Sequence, residues 1–376
     1  MTQRVNYGVV GTGYFGADLA RSIIKNEDAY LKAVYDPHNG QAIADELDAT
    51  NEPTFEDLVQ REDIDCIIVA SPNYLHRDHV VLAAKHQKHI FCEKPIALSY
   101  ADCVEMVETC KEHNVLFMAG HIMNFFNGAE YARDAIQSGK IGKVLYCHTA
   151  RNGWQEPGTG QGHSWKKQRE LSGGHLFHHI HELDFVQWIM GGSPDSVTMA
   201  GGNIAHHEKN DPDEEDLLIA TLKYPNNTFA LLEWGSACHW GEHYALIQGT
   251  KGAIKLDLQK VEGTLKTNGE EVNFLIHETK EEDEDRRRIY HRRTDDGAVQ
   301  YGKPGQYTPM WLATLIDKEM TYLHNLLLGR PVEKGFEKLI DGTAALEAIA
   351  TAQALVNSLQ ENRPVYLKEI YQKKEE

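Results

Sequence analysis

The ten residues from Tyr7 to Gly16, YGVVGTGYFG, constrain the chain more than any other stretch: they set an apolar strand, three glycines and the opening of a helix in immediate succession. In this G-x-G-x-x-G spacing, Gly11 permits the tight turn after the strand, Gly13 lets the backbone approach a pyrophosphate, and Gly16 lets helix and strand pack closely. The helix expected from Phe15 to about Lys25, with Tyr14 and Phe15 at its mouth, turns unpaired N–H groups and a positive dipole end toward the phosphates. Glycines also occur in ordinary strand-to-helix turns, so the context decides. An apolar run, Val5 to Val10, precedes the loop, and a second strand, Leu31 to Tyr35, ends at Asp36, 20 residues after Gly16. A carboxylate at that point binds the adenosine ribose 2′-OH and repels a 2′-phosphate, so the expected cofactor is NAD rather than NADP.

From Val5 to about Met123 strands and helices alternate, the pattern of a doubly wound parallel sheet. Thr54 to Asp57 and Ser99 to Asp102 each have the S/T-x-x-D form of a helix start. A third strand, Asp65 to Ala70, reads as a central strand buried on both faces, and it ends at SPNYLH, with Ser71, Asn73 and His76. A fourth, His89 to Cys92, ends at Glu93-Lys94-Pro95, and a fifth, Val115 to Ala119, ends at Gly120-His121. Ligands of such sheets bind beyond the carboxyl ends of the strands, so these polar clusters are expected on one edge.

After Met123 the texture changes. A helical stretch from Gly128 to about Ser138 leads into strand-like segments at 144–150, 196–200, 217–224, 228–234, 244–248 and 253–258, separated by turn signals such as Pro225-Asn226-Asn227. Two helical runs, Trp311 to Leu328 and Gly342 to Leu359, close the chain. The expected organisation is α/β: a nucleotide-binding domain over 1–123, then an α+β domain over 124–376 with an open, mostly antiparallel sheet. Glu278 to Pro309, acidic then triple-arginine, reads as a solvated loop or subunit-contact arm. A broad apolar sheet face is costly in water, so a homo-oligomer is expected.

A net charge of −18 argues against nucleic acid or an anionic membrane as partner. No apolar run approaches the roughly 20 residues that span a bilayer. With the first strand entered by Val5 there is no room for a signal peptide, so a cytoplasmic protein is expected. Six cysteines at irregular spacings inside apolar segments read as reduced core thiols.

Two stretches carry candidate chemistry. Lys94, immediately after an apolar strand and beside a bound cationic nicotinamide, can act as a base or donate a hydrogen bond to a reacting oxygen; the alternative is a surface lysine in a turn. SGGHLFHHIHELD, Ser172 to Asp184, packs four histidines, His175, His178, His179 and His181, into seven residues. On a helix His178 and His181, or His175 and His179, would share a face. Imidazole can accept an alcohol proton near neutral pH, and the same cluster could bind zinc, although no cysteine or H-E-x-x-H pattern accompanies it.

The motifs VVGTGYFG, ASPNYLH, HIFCEKP, GHIMNF, GKIGKV and SGGHLFHHIHELD together resemble the Gfo/Idh/MocA oxidoreductases over nearly the whole chain. The resemblance implies an N-terminal Rossmann domain, a C-terminal open antiparallel sheet, an NAD or NADP cofactor and sugar-like substrates. It makes Lys94 the lysine of the EKP motif and His181 the histidine of the D-x-x-x-H segment, the catalytic pair. Asn73 and His76 fall on the loop along the cofactor, and Glu93 on the acid near the nicotinamide ribose. The chain departs from the pattern at Phe177, where the family usually has aspartate, at His179, often glycine, and at Asn124, often arginine. His121, Asn124, His178 and His179 are therefore substrate-binding candidates. Trp154 and Trp165 suit stacking on a sugar or aromatic aglycone, or ordinary packing.

Within the family, HIFCEKPIALSYADC, CHTARNGWQEPG and SWKKQRELSGGHLFHHIHELD look most like glycoside 3-dehydrogenases of gut-bacterial C-glycoside deglycosylation systems. That implies NAD-dependent oxidation of the C3 hydroxyl of a flavonoid glucoside, preparing elimination of the aglycone by a separate lyase. The alternatives are a simple sugar or inositol dehydrogenase, a redox-neutral glycosidase that oxidises, eliminates, hydrates and re-reduces on one protein, and a non-catalytic NAD-binding regulatory subunit.

Overall fold

The computed structural model describes residues 4–154, 165–206, 215–291 and 308–372. Two compact units divide the chain: Met1–Ile122 with Gln300–Leu346, and Met123–Val299 with Glu347–Glu376.

The first unit is built on six parallel strands: β1 Val5–Val10, β2 Ala29–Tyr35, β3 Thr50–Asn51, β4 Cys66–Val69, β5 His89–Glu93 and β6 Phe117–Gly120. Their order, β3-β2-β1-β4-β5-β6, reverses direction at β1, the switch point at which such sheets open a crevice. β1, β4 and β6 are buried at every position, which is why they read as unbroken apolar runs. Both capping signals are made: Thr54 Oγ1 accepts from Asp57 N and Ser99 Oγ from Asp102 N, each at 3.1 Å. β3 escapes the sequence reading because two residues show no periodicity.

The helix Met310–Leu327 belongs to this first unit, which corrects the expectation of an uninterrupted second domain over 124–376. Polar ties to the start of the chain hold it there. Asp317 accepts from Ser22 Oγ at 2.6 Å and from Lys25 Nζ at 2.8 Å, and the Tyr7 hydroxyl lies 2.8 Å from His324 Nδ1. A chain read in order cannot reveal that a late helix returns to the first sheet.

The second unit contains a nine-stranded sheet: β7 Val144–Trp154, β8 Ser196–Gly202, β9 Leu217–Lys223, β10 Phe229–Gly235, β11 Ala237–Gly249, β12 Gly252–Asp257, β13 Glu262–Thr267, β14 Glu270–Phe274 and β15 Val365–Tyr366. The order is β14-β13-β12-β11-β7-β10-β9-β8-β15, antiparallel except for the parallel β7/β10 pair. In β9, Leu218, Ala220 and Leu222 are buried while Ile219, Thr221 and Lys223 are exposed, so one face is covered and the other open. The helix Ile180–Met190 is held to Thr343–Glu361 on the covered side by Gln187 Nε2, which donates to Thr351 Oγ1 at 2.8 Å.

Glu278 to Pro309 is not simply a solvated loop: it contains the helix Lys280–His291, and residues 292–307 lie outside the described part. Thr279 and Glu282 cap that helix reciprocally, Glu282 N donating to Thr279 Oγ1 at 3.2 Å and Thr279 N to Glu282 Oε2 at 3.3 Å. The buried Asp283 carboxylate accepts from the backbone N–H of His277 at 2.9 Å and sits 2.8 Å from His277 Nδ1. Arg286 Nη1 lies 3.1 Å from His277 Nε2, which must therefore accept, leaving the proton on Nδ1. Burial accordingly lowers the His277 pKa to about 4.

Candidate active site

In the first unit, every cofactor residue named from the sequence sits at the carboxyl end of β5 or in the loops and helix starts that follow β1, β2, β4 and β5. Gly11 has φ +85°, and a Cβ there would lie 2.5 Å from Ser71 N, so the turn after β1 presses on the loop after β4. A Cβ on Gly16 would lie only 1.9 Å from Gly11 O. Gly13 is different: its Cβ would meet nothing within 4 Å. Two glycines thus close the turn while the third leaves bare backbone facing open space at the N-terminus of Tyr14–Ile23, where a diphosphate fits. Tyr14 is exposed and Phe15 half-buried beside it.

Asp36, after β2, is already engaged by the loop it serves. Its Oδ2 accepts from Thr12 N at 2.9 Å, and its Oδ1 from His38 N at 2.8 Å and Asn39 N at 2.9 Å. These bonds hold the carboxylate rigidly next to the glycine turn, its remaining lone pairs suited to a ribose diol.

His76 takes a different part from the one the sequence suggested. It is 1% exposed, with Nδ1 2.9 Å from Pro95 O and Nε2 2.8 Å from Ser71 O. In the neutral ring one nitrogen carries the proton and donates, so either the Pro95 or the Ser71 carbonyl accepts from it while the other lies close by. His76 braces the loop after β4 against the loop after β5, and burial lowers its pKa. Ser71 Oγ lies 2.8 Å from Nδ1 of His79, and Asn73 is buried in the same loop.

Lys94 is half-buried at the end of β5, and its bond to Pro95 is cis. Its backbone N–H donates to Glu93 Oε2 at 3.1 Å. Burial pushes the Glu93 carboxyl up to about 7, with the neighbouring Lys94 charge pulling the other way. His121, at the end of β6, is 1% exposed.

In the second unit the histidine segment is not one helix. Arg169–Ser172, His175–His178 and Ile180–Met190 are separate, joined through Gly173 and Gly174 at φ +87° and +82° and through His179. His178 and His181 therefore lie on different helices, whereas His175 and His179 do come together, with ring centroids 4.6 Å apart. Phe177 is 3% exposed and packs under the turn, where a Cβ on Gly173 would lie 2.5 Å from its ring. The family's aspartate position is thus filled by core. Glu215, 6% exposed, pins the turn through an ion pair to Arg169 and by accepting from His175 N at 3.4 Å.

Asn124 Nδ2 donates to Asp184 Oδ2 at 2.9 Å, both side chains buried. Trp154 stacks on His239 at 3.8 Å with rings 16° apart, and Trp165 carries Lys166 5.7 Å above its ring. Beside His181, Glu182 is 4% exposed. Burial would raise its pKa, but Arg151 at 3.2 Å and His243 at 3.5 Å more than offset this and hold it ionised. The Arg151–Glu182–His243 cluster was missed in the sequence because its members come from β7, a helix and β11.

All six cysteines are free, and among the described residues no His, Cys, Asp or Glu group of three or more is placed to hold a metal and no helix is long and apolar enough to cross a membrane.

Residues 5–121 match a family model described as "Oxidoreductase family, NAD-binding Rossmann fold", and residues 133–367 match its C-terminal alpha/beta domain. A protein of Mediterraneibacter gnavus named 2,7-anhydro-N-acetylneuraminate hydratase is 57% identical over 97% of this chain and 97% of its own length. One of Escherichia coli with the same name is 54% identical over 97% of this chain and 98% of its own. An uncharacterized oxidoreductase of Streptococcus pneumoniae is 60% identical over 97% of this chain and 99% of its own. Among solved structures, levoglucosan dehydrogenase in complex with NADH and levoglucosan superposes with a TM-score of 0.75 over 97% of this chain and 100% of its own at 19% identity, a likeness of fold.

Proposed function

Because this chain belongs to the Gfo/Idh/MocA oxidoreductase family and binds NAD, we propose that it is a redox-neutral hydratase that opens 2,7-anhydro-N-acetylneuraminate to N-acetylneuraminate. The identity of 57% and 54% to two full-length hydratases of that name carries the reading. An NAD site in an enzyme whose net reaction only adds water calls for an oxidation that is later reversed.

The chemistry fixes where that oxidation falls. The 2,7-anhydro bridge is an ether oxygen on C2, and expelling it by elimination requires an acidic hydrogen on C3, hence a ketone at C4. The C4 hydroxyl loses its proton to a base and the C4 hydrogen leaves as hydride. The C3 proton is then removed, the C2–O7 bond breaks and O7 is protonated. Water adds its oxygen to C2 and a proton to C3, and hydride and proton return to C4 and O4. NAD, when bound, accepts the hydride and gives it back.

Lys94 and His181 are the residues proposed to move these protons. Lys94 donates to and polarises the C4 oxygen, and His181 accepts its proton. A positioned base contributes on the order of 10²- to 10⁴-fold. His178 and His179, near His181 in sequence, are the candidates for the C3 proton. Glu93 offers an acceptor to the nicotinamide ribose. Elimination and hydration on one protein make the separate lyase expected from the sequence unnecessary. The two hydratase relatives, and not a glycoside 3-dehydrogenase, set the substrate proposed here.

The test is product analysis of purified protein with 2,7-anhydro-N-acetylneuraminate and substoichiometric NAD. Many equivalents of N-acetylneuraminate without accumulating NADH are expected; stoichiometric NADH with no N-acetylneuraminate would point to a plain dehydrogenase.

A further inference from the structure

On the hydratase reading, on which this step rests, the substrate carries a carboxylate on C2. An anionic sugar calls for a cation near the reacting carbons that is neither fully buried nor spent on the fold. In the second unit Arg286 and Arg133 are 2% and 6% exposed, and Arg169 pins the glycine turn through Glu215. Arg151 is placed differently. It lies in register with Trp234 of β10 on one side and His243 of β11 on the other, and Trp234 is opposite Leu218, so all three belong to the covered face of the sheet. Arg151 Nη1 donates at 3.2 Å to Oε1 of Glu182, on the helix Ile180–Met190, and His243 Nε2 lies 3.5 Å from the same oxygen. We propose that Arg151 binds the substrate's C1 carboxylate, oriented for it by Glu182 and His243, and so makes the site selective for an acidic sugar over a neutral one.

The ion pair is lopsided: the Glu182 side chain is 5% exposed and that of Arg151 25%. Its carboxylate lies inward and its guanidinium outward, so the pair turns its cationic end toward open space. A guanidinium carries five N–H donors in a rigid planar fork, a geometry that matches carboxylates and can serve one on each of two edges. Glu182 directly follows His181 in the chain, which ties this cationic end to the residue proposed to take the C4 proton. Burial works to raise the Glu182 pKa, and Arg151, His243 and His181 together lower it, so all three act on one carboxylate. The substrate carboxylate is attached to C2, the carbon from which O7 leaves. Fixing it therefore fixes C2, C3 and C4 relative to His181.

The test is isothermal titration of NADH-loaded protein, whose reduced cofactor cannot oxidise the sugar, with 2,7-anhydro-N-acetylneuraminate and with its methyl ester, which lacks the charge. The wild type should bind the acid about tenfold or more tightly than the ester. Arg151→Met should weaken the acid by roughly ten- to a hundredfold and leave the affinity for the ester unchanged. That variant strips the buried Glu182 of its cation, so Arg151→Lys is measured beside it. Lysine keeps the charge but not the fork, and should retain the melting temperature and only part of the preference for the acid. Equal affinities for acid and ester in the wild type, binding of neither, or a preference undiminished in Arg151→Lys or in folded Arg151→Met overturns the proposal. Equal loss of both ligands in Arg151→Lys makes Arg151 merely structural and overturns it as well. A wild type that prefers the acid but converts none of it with NAD overturns the hydratase reading and leaves the carboxylate site standing.

Discussion

The glycine turn at Gly13 and the one at Gly173 and Gly174 both open helices, and they differ in what occupies the space beside them. Around Gly13 there is nothing within 4 Å of a built Cβ; around Gly173 the Phe177 ring stands at 2.5 Å, and around Gly174 the Glu215 carboxylate at 3.2 Å. The first turn keeps its concavity open for a ligand. The second is filled by its own chain, so its glycines serve packing and set the orientation of the histidines. Glycine spacing alone does not separate a binding cradle from a folded corner.

The chemistry of the open cradle gives the largest expected effect. Lys94→Ala should lower kcat by on the order of 10²- to 10⁴-fold while NADH binding and the melting temperature persist, measured by product formation, fluorescence and thermal denaturation. Near-normal turnover would remove Lys94 from the reaction. Gly13→Ala should leave the melting temperature within about 2 °C and weaken NADH roughly tenfold or more, since the added methyl enters the space the pyrophosphate needs. If Gly13→Ala bound NADH normally, the open space would have another use.

The filled turn predicts the reverse. Gly173→Ala should destabilise by about 1–3 kcal/mol, because φ is +87° and the Phe177 ring must move, while NADH affinity stays unchanged. Asp283→Asn, in the second unit, should cost about 1–3 kcal/mol by weakening the acceptor for two backbone N–H groups and the His277 ring, again without effect on NADH. The smallest effect is on pH dependence. Glu93 has its folded pKa raised above the ordinary glutamate value, so its contribution to stability is complete below that value and is lost as pH rises through about 7. Glu93→Gln should flatten that part of the stability curve in denaturant titrations.

How legible the chain was follows the same divide. β1, β4 and β5 were readable because strands buried on both faces are unbroken apolar runs, and the cofactor loop because its glycines do local work. β13 and β14 were missed: their exposed faces carry Glu, Lys and Asn, which mask the alternation. The capping box at Thr279 and Glu282 was present as T-x-x-E and could have replaced the loop reading of Glu278 to Pro309. The brace role of His76 depends on a contact between residues 19 positions apart, which no spacing records. The motifs identified the family; the proposed substrate comes from relatives sharing more than half of the sequence.

The most direct test of the proposed reaction is to run it in deuterium oxide with 2,7-anhydro-N-acetylneuraminate and catalytic NAD, and to read the product by mass spectrometry and proton NMR. Oxidation at C4, elimination and rehydration predict N-acetylneuraminate carrying solvent deuterium on C3. Product formed with no deuterium on carbon would mean direct opening of the ketal without a C4 ketone, and would contradict the account.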